Sequence, residues 1–420
     1  MSSPVNFPKN PLISLTQDEE LFRSSVAEFA AREIAPSWER WDQESSERHV
    51  VQREMISRLA GQGLLAMTCS PEHGGQGGTQ TMATIALEEL AYADPSVGSA
   101  VYALLNIGWP FLLGMYGRQE VAGSVIERVS RGEAFFGIAS TESQGGSDIA
   151  NLKSSAAKKG DGYVISGTKS FISGVNEVFG LPWGGGWFVL ARTGGPGRAG
   201  LSGFAALPKE GGRVAPGVSH SLFEVAGKHS LSTGSVTFDG LEVGRGNLVG
   251  EEGRGFYLAM EGFNCARILV AAACVGASRW LLERAAEWLK SREIGGRRLS
   301  SYQSVGFRFA ELVGKYEAAR MMVYRAARLF DKVYFERQPG YSKGDLNAPV
   351  AMAKMMGPEV SMEIGQEVMR WFGASSFVRS HPVQRSVLGL LSYVVGAEGA
   401  QNVMKYIVSR EVLGHDSVRD

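Results

Sequence analysis

The spacing of apolar residues changes character twice along this chain of 420 residues. Between residues 16 and 130, apolar positions recur every three or four residues, which indicates helices with one buried face. Short runs rich in β-branched and aromatic residues then alternate with glycine-rich turns, which indicates strands. From about residue 250 the helical spacing returns in four long stretches, at 256–292, 302–335, 347–372 and 384–412.

These changes predict an α+β fold of three parts: an N-terminal all-α domain at 1–132, a middle all-β domain at 133–249 and a C-terminal helical bundle at 250–420. In the first domain, Thr16 and Glu19 have the spacing of a capping box at the start of a helix. The later segment "SERHVVQREMISRLAGQG" also has helical spacing. In the middle domain, "GYVISGT" and "SFISG" read as separate short strands.

Composition and charge argue against several classes of protein. Lysine plus arginine and aspartate plus glutamate number 43 each, so we expect neither nucleic acid nor a membrane surface as a partner. The first ten residues lack the apolar core of a secretory signal. Cys69, Cys265 and Cys274 lack metal-ligand spacing and favour reduced core residues of a cytoplasmic protein. The apolar segment "ILVAAACVGAS" at 268–278 is too short to span a bilayer, so we expect a buried helix.

A single carboxylate, Glu398, stands among small residues in "GAEGAQN" at 396–402, just before an apolar helical run. Its simplest interpretation is a helix start, because the helix dipole stabilises an acid at a helix N-terminus. The alternative is a catalytic acid or base. The residues around Glu398 do not decide between the two.

The densest cluster of polar and small residues is "STESQGGSD" at 140–148, directly after the predicted strand "FFGIA". Gly145 and Gly146 allow a flat or anionic ligand to approach the backbone, and nearby hydroxyls can donate to it. An ordinary glycine-rich turn is the competing interpretation. The segment matches neither the P-loop nor the dinucleotide-binding glycine pattern.

Several motifs together are more specific than any one of them. "PEHGGQGG", "LEELAYAD", "ASTESQGGSD", "SGTKSFISG", "NLVGEEGRGF" and "CARILVAAACVGAS" occur in this order and at this spacing. The chain in this respect resembles the acyl-CoA dehydrogenase family, over about residues 15–414. The resemblance implies a helical domain, a middle β-barrel-like domain and a C-terminal four-helix bundle. It also implies FAD as cofactor and oxidation of an acyl-CoA thioester to its 2-enoyl form.

The resemblance assigns roles to individual residues. The segment from Ile138 to Ser147 would wrap the flavin, Phe171 would lie against its ring in place of the usual Trp, and Ser173 would face N5 in place of the usual Thr. The implied cofactor contacts are Ile138, Ser140, Thr141, Gly146, Ser147, Phe171, Ile172, Ser173, Arg292, Gln303, Arg370 and Gly373. The implied substrate contacts are Ser147, Arg267 and Gly399.

The same resemblance implies that Glu398 removes the proton α to the thioester while hydride leaves the β-carbon for the flavin. Some family members carry this base immediately before the arginine of the core helix instead, but Ala266 stands at that place here. Arg292 resembles the arginine that reaches the FAD of a neighbouring subunit. Its other interpretation is a solvated arginine closing a helix.

Residues 370–400 depart most from the family pattern. Ala397 stands where a tyrosine often precedes the catalytic acid, the expected Arg-Asp pair is absent, and "WFGASSF" replaces a glycine-rich segment. Because the small Ala397 would widen the pocket, we expect a bulky, branched or cyclic acyl group.

The resemblance also implies partners: an acyl-CoA substrate, an electron-transferring flavoprotein as acceptor, and a homo-oligomer that is a tetramer or a dimer. Two alternatives stay open. One is a flavoenzyme of the same fold with other chemistry, such as a monooxygenase, a nitroalkane oxidase or an acyl-CoA desulfinase. The other is a non-catalytic flavoprotein associated with DNA, which the balanced charge disfavours.

Overall fold

The computed structural model describes Val5, Phe7 and residues 13–414. Its N-terminal part is helical, as predicted, and the Thr16–Glu19 capping box is present: the Glu19 N–H donates to Thr16 Oγ1 and the Thr16 N–H to Glu19 Oε2. The helices are α1 Gln17–Phe29, extended by a π-helical turn Ala30–Ile34, then α2 Trp38–Arg48, α3 Arg53–Gly61, α4 Gln80–Ala93, α5 Gly98–Tyr116 and α6 Gln119–Ser130.

One helix prediction in this part is wrong. The segment "SERHVVQREMISRLAGQG" contains two helices, because α2 ends at Arg48 and α3 begins at Arg53. His49 follows α2 in a left-handed conformation, with φ of 52°, and this turns the chain away from the helix axis.

The middle part is built on one nine-stranded sheet. The strands are β1 Ala134–Ala139, β2 Ser155–Lys159, β3 Gly162–Ser173, β4 Gly184–Arg192, β5 Leu201–Glu210, β6 Arg213–Val214, β7 Val218–Leu222, β8 Thr233–Val243 and β9 Leu248–Val249. Their order in the sheet is β6-β5-β4-β2-β3-β8-β7, and β1 also pairs with β4 and β9 with β5. The predicted strands "GYVISGT" and "SFISG" form one long strand, β3, and a short helix α7, Val175–Gly180, follows it.

The C-terminal part is a bundle of helices, as predicted, with a small hairpin after the first of them. The predicted fourth stretch at 384–412 is wrong as a single helix, because the chain leaves the helical conformation at 396–400 and resumes it at Gln401. The elements are α8 Gly255–Ser291, β10 Glu293–Ile294, β11 Arg297–Arg298, α9 Gln303–Tyr334, α10 Asn347–Phe372, α11 Pro382–Val395 and α12 Gln401–Leu413.

Helix α8 is the centre of the molecule and packs against α4, α5, α9 and α10. Gly276 lets α4 approach closely, because a Cβ there would lie 2.1 Å from the Glu88 carbonyl oxygen. Helices α5 and α8 are long and apolar enough to cross a membrane by composition, but 89% of the most apolar window of each is buried inside the protein. The segment at 268–278 is therefore the buried core helix that the sequence predicts.

Candidate active site

Glu398 lies in the non-helical break between α11 and α12, and its backbone is in a left-handed conformation with φ of 57°. Helix α12 begins three residues later, at Gln401, and has no acidic residue in its first turn. The helix-start interpretation of Glu398 is therefore wrong. A non-glycine residue held at positive φ is strained, and such strain persists only where the surrounding structure imposes it.

Two buried cations hold the backbone around Glu398. Arg267 Nε, from α8, donates to the Glu398 carbonyl oxygen at 2.9 Å. Lys354 Nζ, from α10, donates to the Tyr393 carbonyl at 3.0 Å and also to the Gly399 carbonyl. Both cations are buried, so these charge-assisted bonds are shielded from water. They fix the break on the side chains of two neighbouring helices.

The Glu398 carboxylate is in an environment that suits a base. Burial raises its pKa to about 7, although Arg267, Lys354 and Lys228 pull the pKa down. The indole Nε1 of Trp109 is near enough to the carboxylate to help lower this pKa, but within the part of the chain that the structure describes neither Glu398 Oε2 nor Trp109 Nε1 makes a hydrogen bond of normal geometry. A carboxyl group with a pKa near neutral pH can both take and return a proton at working pH.

Arg267, predicted to contact the substrate, is largely engaged within the protein. Besides its bond to the Glu398 carbonyl, it donates through Nη1 to Asn264 Oδ1 at 3.2 Å and lies 5.4 Å from the Phe263 ring centroid. Burial lowers its pKa to about 10, so it stays charged at neutral pH. Its contact with CoA stays a prediction. Gly399, predicted beside it, adopts φ of 108°, and a Cβ there would approach Met404 Cε to 3.0 Å.

The predicted flavin segment is anchored beneath by a buried ion pair that the sequence analysis missed. Glu142 accepts from Lys169 Nζ at 2.9 Å and from Ser154 N and Oγ at 2.8 and 2.6 Å. Burial works to raise the pKa of Glu142, but Lys169 and these donors bring it down to about 2. The Ser170 N–H also donates to the Thr141 carbonyl at 2.9 Å. The segment is therefore fixed to β3.

The outer side of this segment is open. Gly145, Gly146 and Ser147 are exposed, and a Cβ at Gly145 would meet nothing within 4 Å. Phe171, close by on β3, has φ of 58° and leaves 69% of its side chain exposed. Open backbone, hydroxyl groups and an exposed aromatic face fit a flat, anionic cofactor such as FAD. Ile138 and Ile172 lie in the strands β1 and β3 that present these groups.

The other predicted cofactor residues lie elsewhere, at one end of the C-terminal bundle. Arg292 follows α8 and lies 5.8 Å from the Trp288 ring, whose Nε1 donates to the Trp371 carbonyl at 2.8 Å. Four exposed residues share this end: Arg292, Gln303, Arg370 and Gly373. The structure therefore divides the predicted cofactor contacts into two groups, and only the first borders β1 and β3.

Sequence reasoning missed three lysines and a tryptophan at or near the site. Lys354 lies in "AMAKMMG", where a lone lysine in an apolar helical run was the available signal. Lys169 similarly interrupts the strand "SGTKSFISG". Lys228 and Trp109 had no comparable signal, because only the fold brings them near Glu398. All three cysteines are free and buried, as predicted.

Comparisons with known proteins identify the family of each part of the chain. The acyl-CoA dehydrogenase N-terminal, middle and C-terminal domain families match residues 16–133, 137–241 and 253–413. The mitochondrial isobutyryl-CoA dehydrogenase of Dictyostelium discoideum is 29% identical over 98% of this chain and 93% of its own. The cyclohexane-1-carbonyl-CoA dehydrogenase of Geobacter metallireducens is 28% identical over 96% and 99%.

Solved structures show the same fold. The butyryl-CoA dehydrogenase of Megasphaera elsdenii superposes with a TM-score of 0.84 at 25% identity, covering 96% of this chain and 99% of its own. The three domain families match in the expected order and together cover most of the chain. The chain belongs to the acyl-CoA dehydrogenase family.

Proposed function

We propose that the protein is an FAD-dependent enzyme that converts an acyl-CoA thioester to the 2-enoyl-CoA, with Glu398 as the base. The observation that carries this proposal is the Glu398 carboxylate, whose pKa burial raises to about 7. Its strained backbone is held by Arg267 and Lys354, and its buried Oε2 makes no hydrogen bond of normal geometry within the described structure. Strained, buried and pKa-shifted groups concentrate at functional sites.

The residues of the chain divide the work as follows. Glu398 Oε2 takes the proton from the carbon α to the thioester, which is weakly acidic and needs a base that is largely ionised. The Glu398 N–H makes no hydrogen bond to another described residue, so it is free to donate to the thioester oxygen where negative charge develops. FAD, when bound, supplies the acceptor for the hydride that leaves the β-carbon.

Binding and orientation of FAD fall to the first group of predicted contacts. Thr141 and Ser147 offer hydroxyls beside the open backbone of Gly145 and Gly146, and Phe171 offers an aromatic face. The buried Glu142–Lys169 pair beneath them keeps this surface in place.

For the acyl group we propose a branched or cyclic chain. The supporting observations are the small Ala397 next to the base and the relatives named for isobutyryl-CoA and cyclohexane-1-carbonyl-CoA. We further propose that electrons pass to an electron-transferring flavoprotein, that the chain works as a cytoplasmic homotetramer or homodimer, and that Arg292 reaches the FAD of the neighbouring copy.

The test is an anaerobic titration of the purified protein with acyl-CoA thioesters of straight, branched and cyclic chains, followed by flavin absorbance. We expect at least one thioester to bleach the wild-type flavin. Glu398→Gln should stay oxidised while its spectrum is still perturbed by the same thioester, because the amide keeps the shape of the side chain but cannot take the proton.

Glu411→Gln is the matched control, because Glu411 lies exposed on α12 and its side chain accepts from Asn347 at 3.0 Å. Equal bleaching of wild type and Glu398→Gln would show that the base is another residue. Absence of bleaching by every thioester, with steady oxygen consumption, would favour the oxygen-using alternative. Strongest activity on butyryl-CoA would contradict the proposal of a branched or cyclic acyl group.

A further inference from the structure

The first turn of α4 is held by a carboxylate from another helix. Asp331, on α9, accepts from the Gln80 N–H at 2.7 Å, from the Thr81 N–H at 3.1 Å and from the Thr81 hydroxyl at 2.5 Å. Thr79 caps the same turn, because its Oγ1 accepts from the Met82 N–H at 3.2 Å. The backbone of Gln80 is therefore fixed both by its own helix and by α9.

From this fixed backbone, the side chain of Gln80 reaches α8. Its Nε2 donates to the Cys265 carbonyl oxygen at 3.0 Å, and Cys265 Sγ donates to Gln80 Oε1 at 3.2 Å. Both residues are fully buried, so these bonds are shielded from solvent. Two bonds to one residue, one at its backbone and one at its side chain, restrict both the position and the rotation of that turn of α8.

Helix α5 encloses the same turn of α8 on another side. A Cβ at Gly108 would lie 3.6 Å from Cys265 Sγ and 3.7 Å from Ala266 Cβ. A Cβ at Gly262 would lie 2.5 Å from Trp109 Cζ3, so the two helices are in direct contact there. The turn therefore has little room to move toward α5, and its position is set between α5 and the amide from α4.

Two residues beyond Cys265, Arg267 connects this turn to the proposed base. Its Nε donates to the Glu398 carbonyl oxygen at 2.9 Å, and its Nη1 donates to Asn264 Oδ1, on the same turn, at 3.2 Å. A Cβ at Gly399 would lie 3.5 Å from its Nη2. Because the guanidinium is held on its own turn and packs closely against residues 398 and 399, a shift of this turn would move the backbone of the base.

We infer that Gln80 is a positioning residue for the base: it fixes the turn of α8 at 264–267 and, through Arg267, the backbone of Glu398. The inference rests on the proposed function and assigns a part in it to a residue of the N-terminal domain. The competing explanation is that the amide contributes only to the packing of α4 on α8. The two explanations differ in the behaviour of Glu398, because Arg267 lowers the pKa of that carboxyl group.

The test is the pH profile of turnover for Gln80→Met, which keeps the length of the side chain and removes both bonds. Wild type and variant are compared at equal flavin content, with a dye acceptor and with isobutyryl-CoA, cyclohexane-1-carbonyl-CoA and butyryl-CoA, from pH 5.5 to 9. We expect the midpoint of kcat/KM to move to higher pH, because a displaced Arg267 lowers the pKa of Glu398 less. We expect kcat at pH 9 to fall about tenfold, since a small displacement of a reacting group has a large effect on rate.

Ser361→Ala is the matched control, because it removes a similar buried bond to the same helix. Ser361, on α10, donates to the Cys274 carbonyl oxygen at 3.1 Å. Cys274 lies seven residues past Arg267, about 10 Å along the helix axis. This variant should unfold at a lower temperature than wild type, as Gln80→Met should, but keep the wild-type kcat and pH midpoint. Cys265→Ser keeps a donor to the amide oxygen, so its profile should also match that of wild type.

Cys265→Ala is a second variant in case Gln80→Met does not fold. It removes the thiol donor alone and should move the midpoint in the same direction by a smaller amount. An unchanged midpoint in folded Gln80→Met or, failing that variant, in Cys265→Ala would overturn the inference, and so would an equal shift in Ser361→Ala. These outcomes leave the proposed dehydrogenation intact. Failure of every thioester to reduce the wild-type flavin would instead remove the proposed function and this inference with it.

Discussion

At the scale of single residues, the chemistry of this site depends on how one carboxylate is surrounded. Burial raises the pKa of Glu398, while Arg267, Lys354 and Lys228 oppose that rise. Burial without cations would raise the pKa further and favour the neutral acid, which cannot act as a base. Cations without burial would lower the pKa and make the carboxylate a weak base. The balance of the two effects holds the pKa near neutral pH.

This balance predicts the pH dependence of the reaction. A carboxyl group whose pKa is raised loses its charge as pH falls through about 7 and not only near the ordinary value of 4.5. We expect kcat/KM to fall about tenfold per pH unit below 7 and to level off above it, because only the carboxylate accepts the proton. Turnover from pH 5.5 to 9 measures this. A midpoint near 4.5 in protein that remains folded would contradict the prediction.

Lys354→Met tests the part that Lys354 plays. The substitution removes a cation that lowers the pKa of Glu398, so the midpoint of the pH profile should move to higher pH. It also releases the Tyr393 and Gly399 carbonyls, and a displaced base should lower kcat by about a hundredfold. Lys405→Met, at an exposed position on α12, should do neither. An unchanged midpoint would show that Lys354 acts only in packing.

At the scale of elements, buried contacts hold the two loops that are proposed to contact ligands. The segment after β1 presents exposed glycines and hydroxyls, yet it is fixed from below by Glu142 and Lys169. The break between α11 and α12 is similarly fixed by side chains of α8 and α10. In both places a loop supplies the chemistry and regular elements supply its position.

Removing Lys169 should show how much the flavin segment depends on its buried partner. Lys169→Met leaves the Glu142 carboxylate buried without a cation, which should reduce the free energy of unfolding by about 3–5 kcal/mol and weaken flavin retention. Denaturant unfolding and flavin content measure the two effects. The double variant Glu142→Gln/Lys169→Met should recover part of the stability, since no buried charge remains.

The control for this prediction is Lys159→Met, at the exposed end of β2. Lys159 and its partner Glu242 are both solvent-exposed, so this variant should stay within about 0.5 kcal/mol of wild type. Equal losses in Lys169→Met and Lys159→Met would contradict a special role for the buried pair.

At the scale of the whole molecule, large apolar side chains are exposed near the second group of predicted cofactor contacts. Ile294 and Phe307 lie close in sequence to Arg292 and Gln303, and Phe377 and Val378 follow Gly373. Phe377 leaves 79% of its surface exposed. Apolar groups gathered beside exposed arginines are typical of an interface between subunits.

We therefore expect the protein to have two or four times the 45.2 kDa mass of one chain in light scattering. Phe307→Glu should lower that mass, because a charge at an apolar contact opposes association. Leu21→Glu on α1, at a similarly exposed position in the N-terminal domain, should not.

Arg292→Gln should lose FAD more readily than wild type if the arginine reaches the neighbouring copy. A monomeric wild type that holds FAD tightly would contradict both expectations.

The sequence by itself determined the order of helical, strand-rich and helical domains, the first capping box, and the family to which the chain belongs. These follow from spacing and from contiguous motifs such as "STESQGGSD", which are local properties of the chain. It also singled out Glu398, because a carboxylate among small residues is visible without a structure. The helical spacing of apolar residues did not reveal two breaks between consecutive helices, at His49 and at residues 396–400.

Only the tertiary structure decided the surroundings of Glu398. The Arg267 bond that fixes its backbone spans 131 residues and the Lys354 bond to Gly399 spans 45, so no local pattern contains either. The same is true of Lys228, whose neighbours in the chain, Gly227 and His229, contact α11 and α2. A pKa and a strained backbone are properties of an environment, and that environment exists only once distant parts of the chain are packed together.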